Sequence, residues 1–269
     1  MTQTVGFIGV GLIGSNLARL AVDAGYRVVI SNSKEPASLS KTVEDLGGEK
    51  VVSADTAENI AKNNDIKLVI VTVPLHVIPS LIPAIGGLKD KIVIDTNNYY
   101  PLRDGHIDVL DYRKLTTAEY VAQYLDKSAK QIKVFNNIWA IHIQPAANRD
   151  PASQTCLPVS GDDDEAKKIV RKFVENIGFA TIDACSLKDS WRTEPNTPVY
   201  CKPYAPMLPE GLSEQEAVRY FGSHAAAPLS EDRVRTLIST ATENEPVGGI
   251  FDPNSISSRA SALASSQNR

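Results

Sequence analysis

Cysteine is scarce: Cys156, Cys185 and Cys201 are odd in number, far apart and include no Cys-x-x-Cys pair. That pattern excludes a disulfide framework and a clustered-thiolate zinc site, and it leaves reduced thiols as the expectation. No apolar run approaches the roughly 20 residues of a membrane span. Neither sign of charge dominates. A net charge of −4 over 269 residues gives no reason to expect nucleic acid or an anionic membrane as partner. There is also no Ser/His/Asp, Cys/His or paired-carboxylate constellation, so no catalytic acid–base residue is assigned. The acidic run Asp162-Asp163-Asp164-Glu165 invites a metal reading. Carboxylates in a first helical turn, however, complement the macrodipole and cap its free N–H groups, and no metal is assigned.

What remains is ordinary in bulk and specific in detail. A 42% hydrophobic and 22% charged composition fits a soluble globular chain. Its length allows one large domain, or one domain plus an extension. The first strand starts within a few residues of the N-terminus and leaves no room for a signal peptide, so the expected location is the cytoplasm. The β-leaning run Val5 to Ile8 feeds into Gly9-Val10-Gly11-Leu12-Ile13-Gly14, and Leu12, Ile13, Leu17, Leu20 and Ala21 then recur at helical spacing up to Gly25. Strand, glycine loop and helix together form the dinucleotide-binding fingerprint. Gly9 permits the tight turn, Gly11 lets the backbone approach a pyrophosphate, and Gly14 allows close packing of helix on strand. The helix N-terminus supplies the N–H groups and positive dipole end for the phosphates.

Arg27 to Ser31 reads as the second strand of a right-handed βαβ unit. An NAD site places an Asp or Glu at the end of this strand, on the ribose 2′-hydroxyl. Here the stretch is Ser31-Asn32-Ser33-Lys34, which offers hydroxyls, an amide and an ammonium to a 2′-phosphate, so NADP is expected over NAD. Lys67 to Val73 is a β-branched run fit for a strand buried on both faces. Thr72, Val73, Pro74 and His76 follow at its carboxyl end, facing the cofactor, with His76 read as a polar wall residue rather than a proton donor. Lys91 to Asp95 is the next strand, followed by Thr96, Asn97, Asn98, Tyr99 and Tyr100, which can hydrogen-bond a ribose or carboxamide. Residues 102–115 read as an irregular loop, and Thr116 or Thr117 as the start of a helix. Lys133 to Trp139 reads as a strand ending in amides. Cys156 to Gly161 and Phe179 to Asp183 read as later strands, with a helix from Asp162 to Ile177 between them.

After about Asp189 prolines interrupt the pattern, and only Glu214 to Phe221 and Glu231 to Thr242 look helical. Ser255 to Arg269, rich in Ser and Ala, is expected to be mobile. The reading is therefore α/β: a Rossmann-like doubly wound, mostly parallel sheet over residues 1–189. A proline-rich, partly helical C-terminal extension over 190–269 would complete the substrate site or a dimer interface.

Several segments together resemble the F420-dependent NADP oxidoreductases and their bacterial relatives. They are Gly9-x-Gly11-x-x-Gly14, Ser31-Asn32-Ser33-Lys34, Thr72-Val73-Pro74, Phe135-Asn136-Asn137-Ile138 and, most particular, Leu157-Pro158-Val159-Ser160-Gly161-Asp162-Asp163-Asp164-Glu165. The resemblance spans roughly residues 4 to 200. It implies NADP along the carboxyl ends of the strands and a hydride passed between nicotinamide C4 and the C5 of the deazaflavin F420, the co-substrate. It also implies that Asn136, Asn137 and Ile138 sit near the nicotinamide. Such a transfer needs no proton abstraction from carbon. Two departures leave alternatives open: Asn32 stands where the family tends to have Arg, and the segment beyond Trp191 has no counterpart in shorter members. The acceptor would then be another flavin, a quinone or a small carbonyl or imine, or the chain would be a non-catalytic NADP-binding redox sensor. The partners expected are small molecules, with a homodimer left open.

Overall fold

The computed structural model describes residues 3–244 and 246–250. Its centre is β1 (Thr4–Ile8), which pairs in parallel with β2 (Arg27–Ser31) on one side and β4 (Leu68–Val71) on the other. The eight-stranded sheet has the order β3-β2-β1-β4-β5-β6-β7-β8, with β3 Val52–Ala54, β5 Ile92–Asp95, β6 Lys130–Lys133, β7 Cys156–Gly161 and β8 Ala180–Cys185. All pairings are parallel except β6 with β7. The chain winds outward from β1 in both directions, so the crevice above β1 and β4 is the topological switch point where open α/β sheets bind ligands.

Alternation along the strands divides the core into two layers. Val5, Phe7, Leu68, Ile70 and Ile94 point to the face covered by α1 (Leu12–Asp23) and α9 (Asp164–Asn176). Ile8, Val69, Val71 and Val93 point to the other, with Ile78 and Ile82 of α4 (Ile78–Ala84) and Tyr120 and Val121 of α7 (Thr117–Ala122). With helices on both faces the strands must be apolar on both, which is why Leu68 to Val71 is buried throughout. Each fully buried Leu, Ile or Phe side chain contributes on the order of 1.5–3 kcal/mol. The two remaining layer helices of the first half are short: α2 (Ser40–Leu46) and α3 (Ala57–Lys62), the latter capped by Thr56 Oγ1 on the Asn59 N–H. Asp163 caps α9 by accepting from the Ala166 N–H, the role expected for that acidic run.

Three local expectations are corrected. The sixth strand lies at Lys130–Lys133 and not at 133–139. Its polar residues hid it, because Gln131 and Lys133 are buried by virtue of hydrogen bonds rather than apolar character. Beyond it Phe135 takes φ +66°, which ends any extended path. Residues 102–115 are not irregular but include α5 (Pro101–Asp104) and α6 (Asp108–Asp111). The strand foreseen at 179–183 is Ala180–Cys185.

The chain beyond β8 folds back onto the sheet. After α8 (Ile143–Ala146) and α9, the last helices among the described residues are α10 (Glu214–Ser223) and α11 (Glu231–Ser239). Val234, Leu237 and Ile238 of α11 join the core layer of β1 and α1, and the Cys156 N–H donates to the Leu229 carbonyl at 2.9 Å. Ser255 to Arg269 lies outside the described residues.

Helix α1 meets the sheet at Gly14. A Cβ there would overlap the Gly9 carbonyl oxygen and stand 2.7 Å from Thr72 Oγ1. Both neighbours are fixed, since the Thr72 hydroxyl donates to that same carbonyl at 2.6 Å. We expect Gly14→Ala to cost about 1–3 kcal/mol, as overpacking does. The check is a lowered denaturant midpoint with an unchanged slope; an unaltered midpoint would show that the approach is not tight.

Candidate functional site

The glycine loop is built before any ligand arrives. Gly9 takes φ +96°, its N–H donates to the Ser31 carbonyl at 3.0 Å and its carbonyl accepts from Thr72 Oγ1. Val10 follows, half-buried, its carbonyl accepting from Ser15 Oγ at 3.1 Å. Gly11 is the N-cap of α1 and lends it no side-chain hydrogen bond, so the first-turn N–H groups lack a capping partner. Apart from its immediate surroundings along the chain, no atom of the described residues lies within 4 Å of where a Gly11 side chain would begin. Open space in front of an uncapped helix N-terminus fits a pyrophosphate. Leu12 is exposed and Ile13 half-buried, and both border the cavity described below.

At the end of β2 the structure separates the four expected residues. Ser31 is fully buried and its hydroxyl donates to the Phe7 carbonyl at 3.1 Å, so the hydroxyl expected to meet a phosphate faces the core instead. Asn32 Oδ1 accepts from the Lys34 N–H at 2.9 Å and its amide donates to Ser38 Oγ, folding the loop into a turn. Ser33 and Lys34 are exposed at its tip.

A cavity of about 470 Å³ opens over the carboxyl ends of β4, β5 and β6. Val73 and Pro74 come from the segment after β4, and Thr96, Asn97, Asn98, Tyr100 and Arg103 from the segment after β5. Phe135, Asn136, Ile138, Trp139, Ala140 and Ile141 come from the segment after β6. The extension adds Tyr200, Cys201, Phe221 and Ile250. Of the expected residues, Leu12, Ile13, Val73, Pro74, Asn97, Asn136 and Ile138 thus meet around one space. Thr72 stands behind the glycine loop as its brace. His76 is exposed, outside the lining, with Nδ1 3.1 Å from Asp104 Oδ1. Asp104 is depressed below the usual carboxylate range: burial pushes it up, but hydrogen bonds from Arg103, the Tyr100 N–H and His76 outweigh that. Asn137 turns away from the cavity; its amide donates to the Tyr204 hydroxyl at 2.7 Å.

The floor of the site is a buried polar network. Asp95 Oδ1 accepts from the N–H and the amide of Asn97, both at 2.9 Å, and Oδ2 from Gln131 Nε2 at 2.9 Å. Lys133, wholly buried, donates to the Asn97 carbonyl at 2.6 Å and lies 3.8 Å from Asp95 Oδ2. Burying both charges costs several kcal/mol each, and only such full pairing offsets it. Asn98 and Asn136 clasp each other, the Asn98 amide donating to the Asn136 carbonyl at 2.6 Å. The Asn136 amide donates in turn to the Thr193 carbonyl at 2.8 Å.

The sequence reading missed most of the aromatic and C-terminal lining. Tyr100 was within reach, in the run Thr96 to Tyr100. Tyr200, Cys201 and Ile250 sit in stretches without periodicity where nothing local marks them, and Phe221 ends the helix foreseen at 214–221 with no local sign that it lines the cavity. Among the described residues no group of three or more His, Cys, Asp or Glu could hold a metal ion. No helix among them is long and apolar enough to cross a membrane.

Comparison with known proteins matches the part of the chain that holds β1 to β5. Residues 4–99 match the family described as NADP oxidoreductase, coenzyme F420-dependent. A crystal structure of a hypothetical protein from Sinorhizobium meliloti is 27% identical, with TM-score 0.63, over 74% of this chain and 93% of that one. A candidate F420-dependent NADP reductase from Arthrobacter sp. FB24 is 20% identical, with TM-score 0.58, over 71% of this chain and 87% of that one. The matched residues run from β1 through the amide segment after β5, so the cofactor half is that of an NADP-dependent oxidoreductase.

Gly11 and Gly14 should respond oppositely to substitution. Gly11→Val fills open space, so it should cost no more than about 1 kcal/mol, the N-cap difference between the two residues. It should nevertheless abolish NADPH binding, read by fluorescence titration. Unchanged affinity would mean that the pyrophosphate lies elsewhere.

Proposed function

We propose that this NADP-dependent oxidoreductase passes a hydride between the nicotinamide of NADP(H) and a deazaflavin such as F420, or a similar flat ring acceptor. The observation that carries the reading is the single cavity continuous from Leu12 and Ile13 at the glycine loop to Phe135, Trp139 and Phe221 at its far wall. Its lining is mainly apolar and aromatic, and its polar groups are chiefly neutral amides already fixed by one another. Such a site suits two planar rings held face to face with water excluded. The dinucleotide would lie across Gly9, Val10, Gly11 and Gly14, with its 2′-phosphate near Asn32, Ser33 and Lys34. Its nicotinamide would stand over Asn97, Asn136 and Ile138. The family match and the shared fold support the cofactor side; the acceptor rests on the cavity and on the resemblance.

The test is anaerobic NADPH oxidation with 5-deazariboflavin as acceptor. Turnover is expected. Tight NADPH binding without turnover would favour a redox-reporting module instead. Cofactor choice is a separate test. NADPH should bind more tightly than NADH, because Ser33 and Lys34 are exposed at the tip of the loop after β2 and no carboxylate stands at the end of that strand. Lys34→Ala should reduce NADPH affinity about tenfold, the effect of one partly screened charge-assisted hydrogen bond, and leave NADH unaffected. Equal dissociation constants for the two cofactors in the unaltered protein would remove the assignment of that loop.

A further inference from the structure

The backbone around the cavity has its acceptors satisfied and its donors not. The Asn97 carbonyl accepts from Lys133 Nζ at 2.6 Å, and the Asn98 carbonyl from Arg103 at 3.0 Å. The Asn136 carbonyl accepts from the Asn98 amide at 2.6 Å, and the Asn137 carbonyl from the Cys201 N–H at 2.9 Å. Among the described residues, however, the N–H groups of Asn98, Asn136 and Asn137 have no hydrogen-bond partner. All three residues are buried. A buried N–H without a partner costs about as much as a lost hydrogen bond. Asn98 and Asn136 line the cavity, so its wall holds donors to match with a ligand's oxygen atoms.

One of these donors is both aimed and strengthened. No peptide bond among the described residues is cis, so the Asn98 N–H points opposite to the Asn97 carbonyl. That carbonyl is turned toward Lys133, at the end of β6 on one side of β5. The N–H is therefore turned toward the β4 side, where Val73 and Pro74 line the cavity. An ammonium on a peptide oxygen polarises the peptide and makes its N–H a stronger donor. Asp95 opposes this, but it accepts from the N–H of the preceding peptide, whereas Lys133 touches the Asn97 oxygen itself.

We propose that the Asn98 N–H meets the negative charge that arrives on the acceptor, with Lys133 as the positioning residue behind it. The site then selects flat rings whose hydride-accepting carbon is conjugated to a carbonyl oxygen, as in the pyrimidinedione edge of a deazaflavin. This rests on the hydride-transfer reading above. The bond from hydrogen to nicotinamide C4 breaks, and a bond to the acceptor C5 forms with the same electron pair. The ring π electrons shift so that N1 and the C2 oxygen share the added pair. The products are NADP⁺ and the reduced ring as its anion, which solvent protonates at N1. No side chain supplies a proton in this step. A fixed N–H facing an oxygen that gains charge only as the hydride arrives stabilises the transition state more than the bound substrate.

The experiment gives the full chain and NADPH two tricyclic hydride acceptors of similar size, 5-deazariboflavin and 10-methylacridinium. The first ends as an anion with charge on a carbonyl oxygen; the second starts as a cation and ends neutral, with no oxygen. Lys133→Met should lower kcat/KM for the deazaflavin about tenfold more than for the acridinium, less than the loss of a whole oxyanion donor because the N–H itself remains. Lys133→Met leaves Asp95 without its counter-charge, so the double variant Asp95→Asn, Lys133→Met, with both groups neutral, is measured beside it and should show the same differential. A binding readout is independent of turnover: bound 4-nitrophenol, followed by its visible absorbance, should ionise at a lower pH in the unaltered protein than in either variant. Equal losses for both acceptors would make Lys133 a structural residue and overturn the proposal. The same ionisation of the bound phenol in all three proteins, or no binding of it, would also overturn it. Reduction of the acridinium but not of the deazaflavin would overturn it while leaving hydride transfer to a flat ring in place. Turnover of neither acceptor, with NADPH bound, would remove the hydride-transfer reading and this inference with it.

Discussion

The approach of α1 to the sheet is the constraint on which the site depends. Gly14 sits against the Gly9 carbonyl, which is itself held by Thr72 Oγ1 from the end of β4. One contact therefore ties helix, loop and two strands together. It also sets where the helix dipole points, since α1 begins two residues before Gly14 with an N-terminus that no side chain caps. A helix displaced by a side chain at Gly14 would carry its free N–H groups away from the crevice. Stability and the placing of the uncapped helix N-terminus are in this way decided by the same few atoms.

A second constraint lies under the cavity, where the segment after β5 leaves the sheet. Asp95 and Lys133 end adjacent strands, and both are wholly buried. Their charges could not remain without partners, and what they bind is the backbone and amide of Asn97. The cost of burying charge is offset by fixing a segment that has left the sheet and has no ladder of its own. Glu194, from the far side, joins this field; burial raises its pKa, with Lys133 opposing. Its carboxylate accepts from the Thr117 N–H at 2.8 Å and so pins the start of α7 to the extension.

What the sequence disclosed follows from how local each signal is. The glycine loop, the β-branched strands and the capped α9 depend on neighbours within a few residues, and period and composition reveal them. β6 was displaced because its buried Gln131 and Lys133 look like surface residues until Asp95, 36 residues away or more, is brought beside them. Ser31 looked like a phosphate ligand because a strand-end hydroxyl is polar. Only the parallel pairing of β1 with β2 shows that the Phe7 carbonyl takes it. In the site, residues on the carboxyl ends of strands were legible and residues supplied by the extension were not.

The extension is joined to the cofactor half at a point of backbone strain. Phe135 and Cys201 both have φ in the left-handed region, +66° and +56°, and both line the cavity. Each such conformation in a non-glycine residue costs on the order of 1–3 kcal/mol. Each is held by the other's neighbourhood: the Cys201 N–H donates to the Asn137 carbonyl at 2.9 Å, while the Asn137 amide donates to Tyr204. Tyr204 in turn donates to the Cys156 carbonyl of β7 at 3.2 Å. The strain turns Phe135 and Cys201 into the cavity, one from each side of the joint. Neither half could keep that geometry alone, because the hydrogen bonds that offset it cross between them. The shape of the cavity is accordingly a property of the joint, whereas the crevice at the glycine loop is a property of the first strands alone.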